Sequence, residues 1–231
     1  MLVVSNIDLT TVIPRISSSA FLRSSIKGFT LNLDNDYRYM KTGYYVSMHA
    51  EVLGNMVVPT SENIIDSSRT PILLLRASKA GIPTLPMIVT DSAKEIISEL
   101  DFPLVLFAVN PFIYEEFMIA RNKSALYRAM KSLGMNYKFP VCAQPLRSRM
   151  LSCKSFFGKC NQEGHHLQEL AQNVYKVFQI PMCKLHIQQV EGATYLCGLQ
   201  PMKKDEISSK DRNLISEEIY QISKQGDLQD A

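Results

Sequence analysis

The sequence predicts an α/β fold, and three observations carry that expectation. Short apolar runs with strand spacing alternate with helical segments from the start of the chain. Two strand–helix pairs follow one another in the middle, and a hairpin pattern closes the body. The expected division is an N-terminal βα unit over residues 1–66, a larger body over 67–202, and an amphipathic C-terminal helix with a polar tail over 203–231.

Leu2-Val3-Val4 reads as the first strand, residues 29–33 as the second through the alternation of Phe29, Leu31 and Leu33, and residues 56–59 as the third. Val46, Ala50 and Leu53 put a helix between the last two. A new unit is expected near Asp66-Ser67-Ser68-Arg69, with Ser68 capping a helix through Leu73, Leu74, Leu75 and Ala77 that stops at Gly81. A strand at 87–89 and a helix from Ser92 to Leu100, capped by Asp91 or Ser92, come next. The apolar run 103–109 is the strongest strand, followed by another at 117–119 and a helix from Lys123 to Leu133 that ends at Gly134. Strands near 139–144 and 150–157 precede a helix over 166–178. Residues 182–190 and 194–199 form a hairpin around Glu191-Gly192. In the tail Leu214, Ile215, Ile219 and Ile222 share one helical face before the sequence turns polar at Lys224.

A chain of 231 residues with 46% hydrophobic content can bury a substantial core. Its net charge of +3 gives little long-range steering toward polyanions, so neither nucleic acid nor a membrane is an expected partner. The N-terminus lacks a cationic segment and a long apolar stretch, which leads to a cytoplasmic expectation. The cysteines at 142, 153, 160, 183 and 197 never fall in a Cys-x-x-Cys pair, so reduced, packed thiols are expected. Cys160, His165 and His166, with Cys183 and His186, match no standard zinc spacing. Residues 147–159 interleave Arg147, Arg149, Lys154 and Lys159 with Phe156 and Phe157; such interleaving can bind RNA, but on a strand the favoured reading is a solvated face opposite a buried one.

The stretch from Asp36 to Glu51 crowds four tyrosines and two cations around Gly43, where a strand hands over to a helix. In open α/β sheets such turns lie at the strand ends where ligands bind. Tyr37, Arg38, Tyr39, Lys41 and Tyr44 are therefore the candidate ligand-binding residues, with Arg38 suited to a carboxylate or phosphate. The alternative reading buries Tyr44 and Tyr45 against the body and leaves Arg38 and Lys41 in water.

Leu31-Asn32-Leu33 through Tyr37-Arg38-Tyr39, with Gly43-Tyr44-Tyr45-Val46-Ser47 and Ala50-Glu51, resembles the unit that precedes the ATP-grasp module in RimK-like carboxylate–amine ligases. From Ser68-Arg69 onward, through Lys79-Ala80-Gly81-Ile82-Pro83-Thr84-Leu85-Pro86 and Tyr175 to Ile180, the chain resembles a shortened ATP-grasp module that ends at Tyr195 to Pro201. The resemblance spans about residues 29–202. It implies an α/β fold of pre-ATP-grasp unit and ATP-grasp-like body, and an ancestral reaction in which ATP and Mg2+ activate a carboxylate as an acyl-phosphate that an amine then attacks.

That chemistry needs cations on the triphosphate and carboxylates on magnesium. The resemblance aligns Phe107 with the family's phosphate-binding lysine, and the loop from Asn110 to Glu116 with a glycine-rich phosphate loop, although it contains no glycine. Gln144 or Pro145 stands near the glutamate that reaches the nucleotide sugar. The three magnesium ligands, aspartate, glutamate and asparagine, align with His186, Gly198 and Gln200. Loss of the lysine, the loop and the metal carboxylates together implies a RimK-related pseudo-ligase without catalytic residues, metal or cofactor, which binds a partner protein or a small acidic ligand. The competing expectation is an active ligase with Lys123, Arg147 or Lys154 on phosphates and Glu115 or Glu116 on magnesium. The face of Leu214, Ile215, Ile219 and Ile222 is a docking surface unless it folds back on the body.

Overall fold

The computed structural model describes residues 1–110, 113, 117–162 and 164–227, with side chains through Lys224. Three four-stranded sheets organise it. In the first, β1 (Leu2–Ser5) pairs in parallel with β2 (Arg15–Ile16) and β3 (Thr30–Leu33), and β3 pairs in parallel with β4 (Val57–Val58). Helices α1 (Ser18–Phe21) and α2 (Thr42–Val52) connect these strands. Strand β2 and helix α1 escape sequence reading because neither is long enough to show a period.

Helix α3 (Ser61–Ser68) runs across the boundary expected at residue 66. Its start is fixed by Thr60, whose hydroxyl accepts a hydrogen bond from the Asn63 N–H. Ser68, expected to cap the next helix, is instead the last residue of α3 and donates to the Ile65 carbonyl at 3.0 Å. Helix α4 (Thr70–Lys79) begins after Arg69 in extended conformation. Pro71 fits that first turn because its missing N–H has no helical acceptor there. The stop at Gly81 follows the sequence expectation, with φ +79° at the glycine and the Ile82 N–H on the Ala77 carbonyl.

The second sheet is antiparallel, in the order β5 (Ile88–Thr90), β8 (Val141–Pro145), β6 (Leu104–Ala108), β7 (Met118–Ala120). Helices α5 (Ala93–Glu99) and α6 (Lys123–Leu133) cover one face, packing Ile96, Leu126 and Met130 on Leu104 and Leu106. Side-chain alternation sends Val105 and Phe107 to the other face, toward the third sheet. Ser92, one of two expected caps, accepts from the Glu95 N–H, and Asn122 does the same for α6 from Ala125.

The third sheet is antiparallel, in the order β10 (Lys159–Cys160), β9 (Leu151–Phe156), β11 (Met182–Val190), β12 (Ala193–Gln200). Helix α7 (His165–Phe178) lays Leu167, Leu170, Ala171, Val174 and Phe178 against it, in the same core as Leu73, Leu74 and Ala77 of α4. All five cysteines are buried free thiols.

Helix α8 (Ser209–Asp227) corrects the expectation of an exposed docking face. Ile215 and Ile219 are fully buried in a cluster with Val3, Leu31, Leu33, Phe156 and Met182, and Leu214 and Ile222 pack at its edge. Docking removes two large apolar side chains from water and covers part of two more, and two ion pairs, Lys154–Asp211 at 2.9 Å and Lys159–Glu218 at 2.5 Å, hold the helix to β9 and β10. Among the described residues, no helix is long and apolar enough to cross a membrane.

Candidate functional site

The turn after β3 is built by its own carboxylates. Asp34 accepts the Asp36 N–H at 2.9 Å, and Asp36 accepts the Arg38 N–H at 3.1 Å and the Nε–NH2 edge of its guanidinium, from Nε at 2.9 Å and NH2 at 2.5 Å. Asp34 is nearly inaccessible, and burial is the main reason its carboxyl titrates above the ordinary range, with Asp36 adding repulsion. Gly43 lets α2 start against this turn: a Cβ there would lie 2.8 Å from the Asp36 carbonyl and 2.9 Å from the Asp34 Cβ. Asn32 reaches over from β3, donating to the Gly43 carbonyl at 2.7 Å and to Ser47 Oγ at 2.9 Å.

The tyrosines divide. Tyr37 is buried and its hydroxyl donates to the Asn32 carbonyl at 2.8 Å; burial drives its pKa well above the ordinary phenol value. The Tyr39 and Tyr44 rings meet at a tilt of 60° with 5.2 Å between centres, Tyr44 within the large core and Tyr39 packed against it, while Tyr45 remains exposed. Lys41 precedes α2 without a side-chain cap bond.

A cleft of ≈ 740 Å3, counting the solvent at its mouth, lies where the three sheets meet. Tyr37 and Arg38 form one wall; Ser67, Ser68 and Thr70 at the α3–α4 junction form a second. Phe107 and Asn110 come from the second sheet, and His186 and Gln200 from the third. Two groups of residues singled out on separate sequence grounds therefore share one cavity. Tyr39, Lys41, Tyr44, Gln144 and Gly198 are not among its lining residues. Asn110, Ser67, Ser68 and Thr70 were not expected to line a site, Ser68 being read only as a helix cap and Asn110 only as the start of a loop: each is a common polar type whose place at the cleft comes from the fold. Asn110 is buried and donates to the Leu133 carbonyl at 3.0 Å.

His186 pairs with Gly198 across the β11–β12 ladder, and a bulge follows between His186 and Ile187. Its Nδ1 meets Ser152 Oγ at 2.8 Å and its Nε2 meets Gln200 Oε1 at 3.2 Å. An amide oxygen only accepts, so Nε2 carries a proton, and in the neutral ring Nδ1 then accepts from the serine hydroxyl. The Phe117 ring stands edge-on to the imidazole at 5.3 Å. Above Gly198 lies the Phe107 ring, whose Cε1 would be 2.9 Å from a Cβ at that position. Phe107 also touches Phe117, at 6.0 Å between centres.

Gln144 faces Val105 across the β6–β8 pair and is wholly buried, with neither amide atom hydrogen-bonded among the described residues. Lys154 is committed to Asp211 and to the Glu206 backbone carbonyl, and Lys184 to Glu206 at 3.0 Å. Lys123 and Arg147 do not line the cleft. Glu115 and Glu116, with Phe112 and Tyr114 of the same loop, lie outside the described residues. Cys160, Cys183 and His186 are not grouped with His165 and His166, whose cluster is completed by Glu169 on the exposed start of α7.

Comparison with known proteins gives a consistent frame. Residues 20–218 match the profile of the RimK-like ATPgrasp N-terminal domain. Among solved structures, the D-alanine–D-alanine ligase from Bacillus anthracis superimposes with a TM-score of 0.65 at 13% identity, over 97% of this chain and 99% of that one. The RimK domain protein ATP-grasp from Sphaerobacter thermophilus gives 0.65 at 12% identity, over 94% and 98%. The VanG D-Ala:D-Ser ligase from Enterococcus faecalis gives 0.61 at 13% identity, over 79% and 66%. No curated protein matched the sequence.

Proposed function

We propose that this chain, which belongs to the RimK-like ATP-grasp N-terminal domain family, holds a small acidic ligand or a partner protein at its three-sheet cleft without ATP-driven ligation. The observation that carries the reading is the Phe107 ring packed onto Gly198 beside His186. A benzyl ring cannot neutralise phosphate charge, and it fills the space in which a longer side chain at residue 198 would have to stand.

Magnesium does not fit the residues present. A hard divalent cation takes anionic oxygens, whereas the three aligned positions offer a hydrogen atom, an amide and an imidazole with both nitrogens engaged. No aspartate or glutamate is among the described lining residues. Arg38, whose Nε and NH2 are held by Asp36, lines the cleft and puts a positive charge on its wall, which supports an acidic ligand there. A reducing, cytoplasmic compartment belongs to the same proposal and is supported by the five buried free thiols.

Isothermal titration with ATP and MgCl2 tests it. No saturable heat is expected up to millimolar nucleotide. Submillimolar, magnesium-dependent binding followed by ADP release with an amino-acid mixture would replace this reading with that of an active carboxylate–amine ligase.

A further inference from the structure

The near-neutral net charge averages over two oppositely charged parts. Residues 117–162 hold nine cations and no acid, against 16 cations and 22 acids in the rest of the chain. The structure sorts those nine, with Arg147 and Arg149 exposed on the connection between β8 and β9. Lys154 and Lys159, next to buried Phe156 and Phe157, pair with Asp211 and Glu218, so the basic–aromatic stretch visible in the sequence is structural. Arg121, Lys123, Arg128, Lys131 and Lys138 are exposed, and none forms an ion pair among the described residues.

These five flank or ride on α6, whose buried face (Leu126, Ala129, Met130, Leu133) fixes the opposite face outward. Beyond its end Met135, Asn136 and Tyr137 all take left-handed backbone angles, φ 50° to 60°, and fold the chain back beside the helix. The result is an open groove of ≈ 900 Å3 lined by Arg128, Lys131, Met135, Asn136 and Lys138. Three rings on the same stretch of chain are exposed, Tyr127 by 45%, Tyr137 by 43% and Phe139 by 36%, with Tyr137 between the groove residues Asn136 and Lys138. The Tyr137 hydroxyl donates to the Tyr127 carbonyl at 3.1 Å, which fixes the ring on the helix rather than leaving it to rotate in water.

We infer that the α6 groove binds single-stranded nucleic acid, its cations on phosphates and its exposed rings stacked on bases. Unpaired cations along a groove complement a polyanionic backbone, and an aromatic face offers stacking to any base. An anionic bilayer would use the cations but favours tryptophan and long aliphatic side chains at the contact; this chain has no tryptophan, and Met135 is the sole aliphatic side chain in the groove lining.

The test is fluorescence anisotropy of a labelled twelve-residue oligouridylate with the full chain over 50–300 mM KCl. Binding is expected with log K falling linearly in log salt, at a slope near −2 for about three neutralised phosphates on a single strand. The triple variant R128E/K131E/K138E should weaken it at least tenfold. Tyr137→Leu should weaken it about fivefold with the salt slope unchanged, which separates stacking from charge. Matching thermal unfolding of each variant with the parent, expected for exposed positions, excludes a folding defect. Absence of binding at 50 mM KCl, equal binding by the triple variant, or retention on phosphatidylserine vesicles without oligonucleotide binding would overturn the inference.

Discussion

Gly43 and Gly198 are glycines for steric reasons that no local turn rule reveals, since neither has a positive φ. Gly43→Ala should cost about 1–3 kcal/mol, read as a lower urea midpoint, because the new methyl meets a carbonyl and a backbone-linked Cβ at 2.8 and 2.9 Å. At Gly198 the obstacle is a ring, and the expectation differs accordingly. Gly198→Ala alone should be destabilising, whereas in a Phe107→Leu background the added methyl should cost much less. A double-mutant cycle should show a coupling of about 1–2 kcal/mol; additive effects would mean that the Phe107–Gly198 contact does not govern this position. Tyr37 combines two roles: its hydroxyl donates to the Asn32 carbonyl and its ring joins the core, while the residue also lines the cleft.

Helix α8 is the element whose role depends most on its surroundings. Ile215→Ala should lose about 2–5 kcal/mol, measured by denaturant unfolding, because Val3, Leu33 and Phe156 would border the cavity left behind. Its polar anchor has a pH signature. Burial raises the Asp211 carboxyl, but the hydrogen bonds from Lys154 and Ser208 more than offset this, and its pKa is lowered; Glu206 behaves likewise through Lys203 and Lys184. Depressed carboxylates stabilise fully above their unfolded pKa values, about 4, and that contribution is lost as the pH falls through the lower folded values. Lys154→Met should therefore reduce stability at pH 7 by about 2 kcal/mol and flatten the fall in stability below pH 4. An unchanged acid profile would show that the Lys154–Asp211 pair does not set it.

At the scale of the whole molecule, the cleft exists only because a parallel sheet and two antiparallel sheets converge, bringing Arg38, Thr70, Phe107 and His186 together from positions far apart in sequence. Most helices and strands were legible in the chain because their apolar spacing matches the periods of 3.6 and 2, as in α6, α7 and the β11–β12 hairpin. The absence of glycine from the loop after β6, and the side chains at 107, 186, 198 and 200, were equally legible, being matters of covalent identity. What the amino-acid order could not convey was partnership across distance. Whether a cation is paired, as Lys154 is, or has no ion pair among the described residues, as Lys131 has none, depends on which elements pack beside it. Whether the Ile215–Ile219 face meets water or Leu33 depends on where α8 docks. Local periodicity is written into consecutive residues, whereas burial and ion pairing arise from contacts between segments that only the folded chain brings within a few ångströms.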